Sequence, residues 1–343
     1  ISSCFHGTHV AGIAAGAGQA INMKGVASGS NIISVQVFSE FLNYYSGCGG
    51  AERCILSNTS DLIGALEWVL NDASSNSIAA INMSIGGGVG YTGYCDISIL
   101  KPTIDDLKAA GIATVISSGN SGFTTAVSHP GCISSAITVG SIYDSVDTIS
   151  DFSNSAQMVD ILAPGSSITS SVLNSQYGTA SGTSMAAPHI AGAIAVMRAI
   201  NPTATVDDIE LSLENSGVSV FDSRNNLSFP RLDLYTSALD ISYKPIAKLD
   251  KKEYSVMVNR NTEFSASASS DPNNFSLIYT WDFGDGSDSY QTSMEKVFHT
   301  YTETGTYNIT LSVHNGIHAD TDEASVVVYD PVIVTLIVNS LLL

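Results

Sequence analysis

Apolar residues recur along the chain at two spacings, and the change from one to the other falls between Leu234 and Tyr243. In the first part, short runs of aliphatic residues alternate with stretches whose apolar positions repeat every three to four residues. Val10, Ile13 and Ala14 place a helix over Gly7–Ala17, with His6 at or just before its start. Ile32–Val37 reads as a buried parallel strand and Leu42–Ser57 as a loop rich in Gly and Cys. Ser60 can cap a helix to about Leu70, with Leu62, Ile63, Leu66, Val69 and Leu70 on its buried face. Strands are expected over Ile78–Met83, Ile112–Ser117 and Ala136–Gly140, and from Val159 to an exit turn at Pro164-Gly165. Pro102–Ala110 reads as a helix stopped by Gly111. Ala186, Ala187, Ile190, Ala191, Ala193, Ile194, Ala195 and Met197 leave almost no polar face, so their helix should be buried. Thr205-Val206-Asp207-Asp208 starts a last helix with acids in its first turn. This alternation predicts an α/β fold: a parallel sheet with right-handed crossovers and helices on both faces.

From Ala247 onward strands follow one another without helices: Tyr254–Val258, Thr262–Ala268, Leu277–Phe283, Tyr307–Val313 and Ala324–Tyr329. Tyr307, Ile309, Leu311 and Val313 point one way and Asn308, Thr310 and Ser312 the other, the pattern of a half-buried antiparallel strand. The spacing predicts a β-sandwich of about 85 residues. The organisation is therefore a first domain over 1–240, a second over 245–329 and a cut-off tail over 330–343. The apolar stretch Pro331–Leu343, interrupted by Asn339 and Ser340, is too short to span a bilayer.

Composition narrows the partners. The chain has 343 residues and a formal charge of −19, which argues against nucleic acid and anionic membrane surfaces as partners. Few lysines among many Ser, Thr, Asn and Gly suggest a secreted, extracellular protein, and a monomer is expected. The chain begins with Ile1, not Met, and reads as a fragment or processed form. Five cysteines, at 4, 48, 54, 95 and 132, contain no CxxC pair, so a zinc site is not expected. The predicted disulfides are Cys48–Cys54 across Gly49-Gly50 and Cys95–Cys132 across the segment holding Asn120, with Cys4 left for a partner upstream.

Three Gly-containing stretches carry the candidate chemistry: His6-Gly7-Thr8-His9-Val10-Ala11-Gly12, Ser117-Ser118-Gly119-Asn120-Ser121-Gly122 and Gly182-Thr183-Ser184-Met185-Ala186-Ala187-Pro188. Ser184 falls at the start of the buried helix, where unpaired N–H groups and the positive dipole end favour negative charge. By itself that describes a capping serine. A histidine base and an asparagine donor, each in a Gly-flanked turn, make it a candidate nucleophile with an oxyanion site. His9 lies three residues after His6, but no Glu or Cys accompanies the pair, so His9, like His189, reads as a structural histidine. Asp160 alternates with apolar residues in a strand and reads as structural.

In this order the three stretches resemble the subtilisin-like serine proteases (subtilases), from Ile1 to about Leu234. The resemblance implies a serine endopeptidase with His6 as general base, Ser184 as nucleophile and Asn120 as side-chain oxyanion donor. It also implies that Ser84, Ile85, Gly86 and Gly87 bind substrate as an added strand and wall the primary specificity pocket; Ile85 stands where the family usually has Leu. No cofactor is needed for this chemistry; structural Ca²⁺ is common in the family, with no ligands assignable here. The family's triad Asp, in an Asp-x-Gly strand end before the His, has no counterpart in the chain, which is therefore expected to be impaired. Trp281-Asp282-Phe283-Gly284-Asp285-Gly286-Ser287, with His299-Thr300-Tyr301 and Gly305-Thr306-Tyr307, resembles a PKD domain. In secreted bacterial proteases such domains help engage large substrates. Asp282, Asp285 and Asp288 do not have EF-hand spacing, and turn capping is the expectation. The rival reading is a catalytically inactive adhesion protein on the same fold, against which intact His6, Asn120 and Ser184 weigh.

Overall fold

A computed structural model describes residues 5–18, 23–42, 52–144 and 146–331. The chain divides into two compact units, 1–241 and 242–343. Six helices are found among the described residues: α1 His6–Ala15, α2 Thr59–Asn76, α3 Lys101–Ala109, α4 Thr183–Ile200, α5 Val206–Ser216 and α6 Leu234–Asp240. All lie in the first unit.

The central sheet of the first unit runs Val218–Asp222, Leu227–Arg231, Ile161–Pro164, Ile137–Tyr143, Ala113–Ser117, Ala80–Met83, with Thr148–Ile149 added to Ile137–Tyr143. The four pairings from Leu227–Arg231 to Ala80–Met83 are parallel, and the Val218–Asp222 edge strand is antiparallel. Alternate strand residues feed two cores, as a sheet covered on both faces requires. Ile116, Ile142 and Leu162 pack with Leu66 of α2 and Ile104 and Leu107 of α3. Val115, Ile137, Val139 and Ile161 pack with α4 and with Ile209 and Leu213 of α5. The α/β expectation holds on this evidence of two faces.

Local signals explain the helix ends. Thr205 accepts from the Asp208 N–H, and the Asp208 carboxylate accepts from the Thr205 N–H, a reciprocal cap that starts α5. Gly111 takes φ +82°, a left-handed value that ends α3 at little cost for glycine.

Two expectations are corrected. Ile32–Val37 is not a strand: it joins no sheet, and Ile32, Ile33 and Val35 are exposed. A β-branched run becomes a strand only beside a neighbour with free backbone groups, and the described sheet ends instead at Ala80–Met83. Leu42–Ser57 is not wholly a loop, because Phe38–Leu42 and Arg53–Ser57 pair antiparallel. The sequence reading also passed over a hairpin, Ile168–Val172 with Gln176–Ala180.

The second unit is all-β. One sheet has the order Glu253–Met257, Ala319–Tyr329, Gly305–His314, Ile278–Asp282, Tyr290–Thr292, and a second pairs Thr262–Ser265 with Lys296–His299. Its core holds Trp281, Phe264, Tyr301, Ile309, Leu311 and Val313, all essentially inaccessible. Asp282 and Asp285 accept the Gly284 and Ser287 N–H groups at 2.9 and 3.1 Å, so both carboxylates cap turns as expected.

The Cys95–Cys132 pairing is present, with Cα atoms 5.3 Å apart. Cys54 is also disulfide-bonded. Cys4, Cys48 and the tail from residue 332 lie outside the described residues.

Candidate active site

Each predicted site residue of the first unit lies at an element end. His6 opens α1, Ser184 is the second residue of α4, and Asn120 follows the Ala113–Ser117 strand. Helices α1 and α4 pack against each other.

The start of α4 exposes N–H groups that have no acceptor within the helix. Asn120 takes one of them: its Oδ1 accepts from the Thr183 N–H at 2.8 Å and from the Thr183 hydroxyl at 2.9 Å. The Thr183 oxygen in turn accepts from the Gly119 N–H at 3.2 Å. Both lone pairs of the Asn120 carbonyl are thereby used. Its Nδ2 donors remain, on a solvent-exposed side chain, and make no hydrogen bond among the described residues.

Ser184 is tied to the Ser84–Gly87 segment through a proline. Pro188 lies inside α4 and has no N–H to give the Ser184 carbonyl four residues back. The Ser84 hydroxyl donates to that carbonyl instead, at 2.8 Å. The Ser184 hydroxyl lies 3.4 Å from the Ser84 carbonyl. Along the same segment the Ile85 carbonyl accepts from Ser117 Oγ at 3.0 Å, and the Gly87 N–H donates to the His129 carbonyl at 3.0 Å. Successive residues of an extended segment face opposite sides. The Ile85 carbonyl and the Gly87 N–H are therefore already engaged, and the Ser84 carbonyl faces the Ser184 hydroxyl.

His6 is held differently. It is half-buried, α1 has no side-chain cap, and no carboxylate bonds its ring among the described residues. No hydrogen bond joins it to Ser184. Burial first, and the neighbouring His9 second, hold its pKa below the ordinary histidine value. The imidazole is therefore neutral at neutral pH and has a lone pair to accept a proton.

The residues read as structural behave so. His9 is buried, with Nε2 at 3.1 and 3.0 Å from the Ile168 and Gly178 carbonyls, where it anchors the 168–180 hairpin to α1. His189 Nδ1 contacts the Met185 carbonyl at 2.9 Å, within its own helix. Asp160 accepts the Thr138 N–H at 2.6 Å, and burial pushes its carboxyl up to about 8.

Asp160, Glu210 and Glu214 offer oxygens within 4.8 Å of one another. Lys108 already bonds Glu210 at 3.1 Å, and Asp160 is engaged by the backbone. Two of the three carboxylates are so engaged, and one oxygen from each of the three falls short of the six to eight oxygens of a calcium cage. They do not fit a Ca²⁺ site.

Sequence reasoning placed Thr183 and Pro188 in the candidate stretch without reading what they bond or leave unbonded, and it missed His129, which carried no signal. No helix among the described residues is long and apolar enough to cross a membrane.

Comparison with known proteins identifies the family of each unit. Residues 2–233 match the subtilase family and residues 242–329 the PKD domain. The chain is 35% identical over 214 residues to Subtilisin of Bacillus pumilus, covering 62% of this chain and 69% of that protein. It is equally identical over the same length to Subtilisin E of Bacillus subtilis (strain 168), of which it spans 50%. Among solved structures it is similar to a cold adapted subtilisin-like serine proteinase, with a TM-score of 0.53 and 32% identity over 66% of this chain and 74% of that one. Together these findings place the chain in the subtilase family.

Proposed function

We propose that the first unit is a serine endopeptidase acting on protein or peptide substrates through an acyl-enzyme. His6 takes the Ser184 hydroxyl proton as the oxygen attacks the scissile carbonyl carbon. The oxyanion is received by Asn120 Nδ2 and the Ser184 backbone N–H. His6 returns the proton to the leaving amine, and water attacks the acyl-enzyme by the same route in reverse. The observation that carries this reading is the Asn120 side chain, whose oxygen is occupied by Thr183 of the serine-bearing helix while its amide hydrogens make no hydrogen bond among the described residues.

Substrate adds as a strand along Ser84–Gly87. The chemistry needs no cofactor. No carboxylate among the described residues orients His6, so the 343-residue chain turns over slowly until an Asp-x-Gly strand end supplies one. The protein is secreted, and the 245–329 module folds independently and engages substrates or surfaces. The test is labelling by a fluorophosphonate together with hydrolysis of a chromogenic peptide. Both should vanish in Ser184→Ala, and undiminished labelling in that variant would refute the assignment.

A further inference from the structure

The loop that carries Asn120 is held from behind by one side chain that the proposed chemistry does not use. Asn154 is 1% exposed. Its Oδ1 accepts from the Ser121 and Phe123 N–H groups at 3.0 and 3.1 Å, the two donors that flank Gly122. Its Nδ2 donates to the Ser118 carbonyl at 2.9 Å and to Ser128 Oγ at 3.1 Å. All four hydrogen-bonding positions of the side-chain amide are filled. Its backbone adds two more links: its N–H donates to the Gly119 carbonyl at 3.0 Å, and its carbonyl accepts from Ser118 Oγ at 3.0 Å.

These bonds bracket Asn120 on both sides in sequence without touching its side chain. Gly119 completes the fit: it takes φ +104°, and a methyl group there would overlap Asn154 Nδ2 and Ser128 Oγ. The Asn154 amide thus occupies the space a side chain at 119 would need. A buried amide with every bond made is a rigid support, and one with its partners removed leaves several backbone groups unpaired.

We propose that Asn154 is a positioning residue for the oxyanion site: it sets the 118–123 loop so that Asn120 Nδ2 meets developing negative charge. This rests on the oxyanion reading of Asn120 given above. A misplacement of about 1 Å in such a donor is enough to cost on the order of 10²-fold in rate. Ground-state binding along Ser84–Gly87 does not use Asn120 and should be little affected.

The test is a double-mutant cycle in the full chain, with kcat and KM read separately on a chromogenic peptide ester and folding followed by circular dichroism. Asn154→Ala should lower kcat on the order of 10²-fold while leaving KM within about threefold. Asn154→Asp keeps the acceptor for Ser121 and Phe123 but loses both donors; it should fall between, and it serves if the alanine variant does not fold. In an Asn120→Leu background either substitution should change kcat by less than about threefold, because the donor it positions is gone. An equal loss in both backgrounds, or an unchanged kcat in the folded single variants, overturns the proposal. An Asn120→Leu variant with unchanged kcat overturns the oxyanion reading itself, which is a separate outcome.

Discussion

The two sides of the candidate site are built to different standards. On the oxyanion side, Asn120 is fixed by Thr183, its loop by Asn154, and the Ser184 carbonyl by Ser84. On the base side, His6 opens a helix with no side-chain cap, and no described carboxylate holds its ring. The difference separates the side of the candidate site that the described residues hold firmly from the side they leave unheld. Charge stabilisation needs fixed donors, and on the proposed reading Asn120 on its held loop supplies one. Proton transfer needs an oriented imidazole, and orientation is what the described residues leave open.

The largest effect expected is from the reacting groups. Ser184→Ala or His6→Ala, made in a form supplied with the triad acid, should lower turnover on the order of 10⁶-fold, the subtilisin figure, with steady-state kinetics as the check. The two losses should not add, because the groups act as a unit. Supplying an Asp-x-Gly strand end should raise turnover of the 343-residue chain by up to about 10⁴-fold, a gain confined to the base side. Equal turnover with and without it would show that the comparison is wrong. Asn120→Leu should cost about 10²–10³-fold in kcat with little change in KM, again the subtilisin magnitude.

Stability sharpens the contrast further. The Cys95–Cys132 bond closes 37 residues of chain that include the oxyanion loop. Replacing both cysteines by serine should lower unfolding stability by about 4 kcal/mol on the chain-entropy estimate, read by urea denaturation.

The smallest effect concerns pH. Burial and His9 lower the His6 pKa, so the acid limb of kcat/KM for the chain by itself should lie below the ordinary histidine value, with activity rising as pH rises through it. A carboxylate supplied beside the ring favours the imidazolium, so that limb should move to higher pH. A limb that stays in place would mean that the acid does not reach His6.

Much of the fold was legible because it depends on local pattern. The strand–helix alternation, the Thr205 cap and the Gly111 stop are written within a few residues of where they act. The three site stretches were legible for the same reason: each combines a reactive side chain with the glycines its turn needs. What escaped was long-range. Asn154 acts through bonds to residues 26 to 36 positions earlier, and nothing in Ser153-Asn154-Ser155 announces them. The hairpin at 168–180 is rich in Ser and Thr and lacks apolar alternation, so its strands read as loop. Ile32–Val37 failed in the opposite sense: its β-branched run is a strand signal, but a strand also needs an available edge, which sequence pattern does not specify.

The most direct test of the division between the two sides is the rate of Ser184 labelling by a fluorophosphonate in the 343-residue chain, alone and with the Asp-x-Gly strand end supplied, with the labelled residue identified by mass spectrometry. A completed oxyanion side with an unoriented base predicts Ser184 as the labelled serine in both forms, slow in the first and much faster in the second, and slowed in both by Asn120→Leu. Equal labelling rates in the two forms, or a label on any serine other than 184, would contradict it.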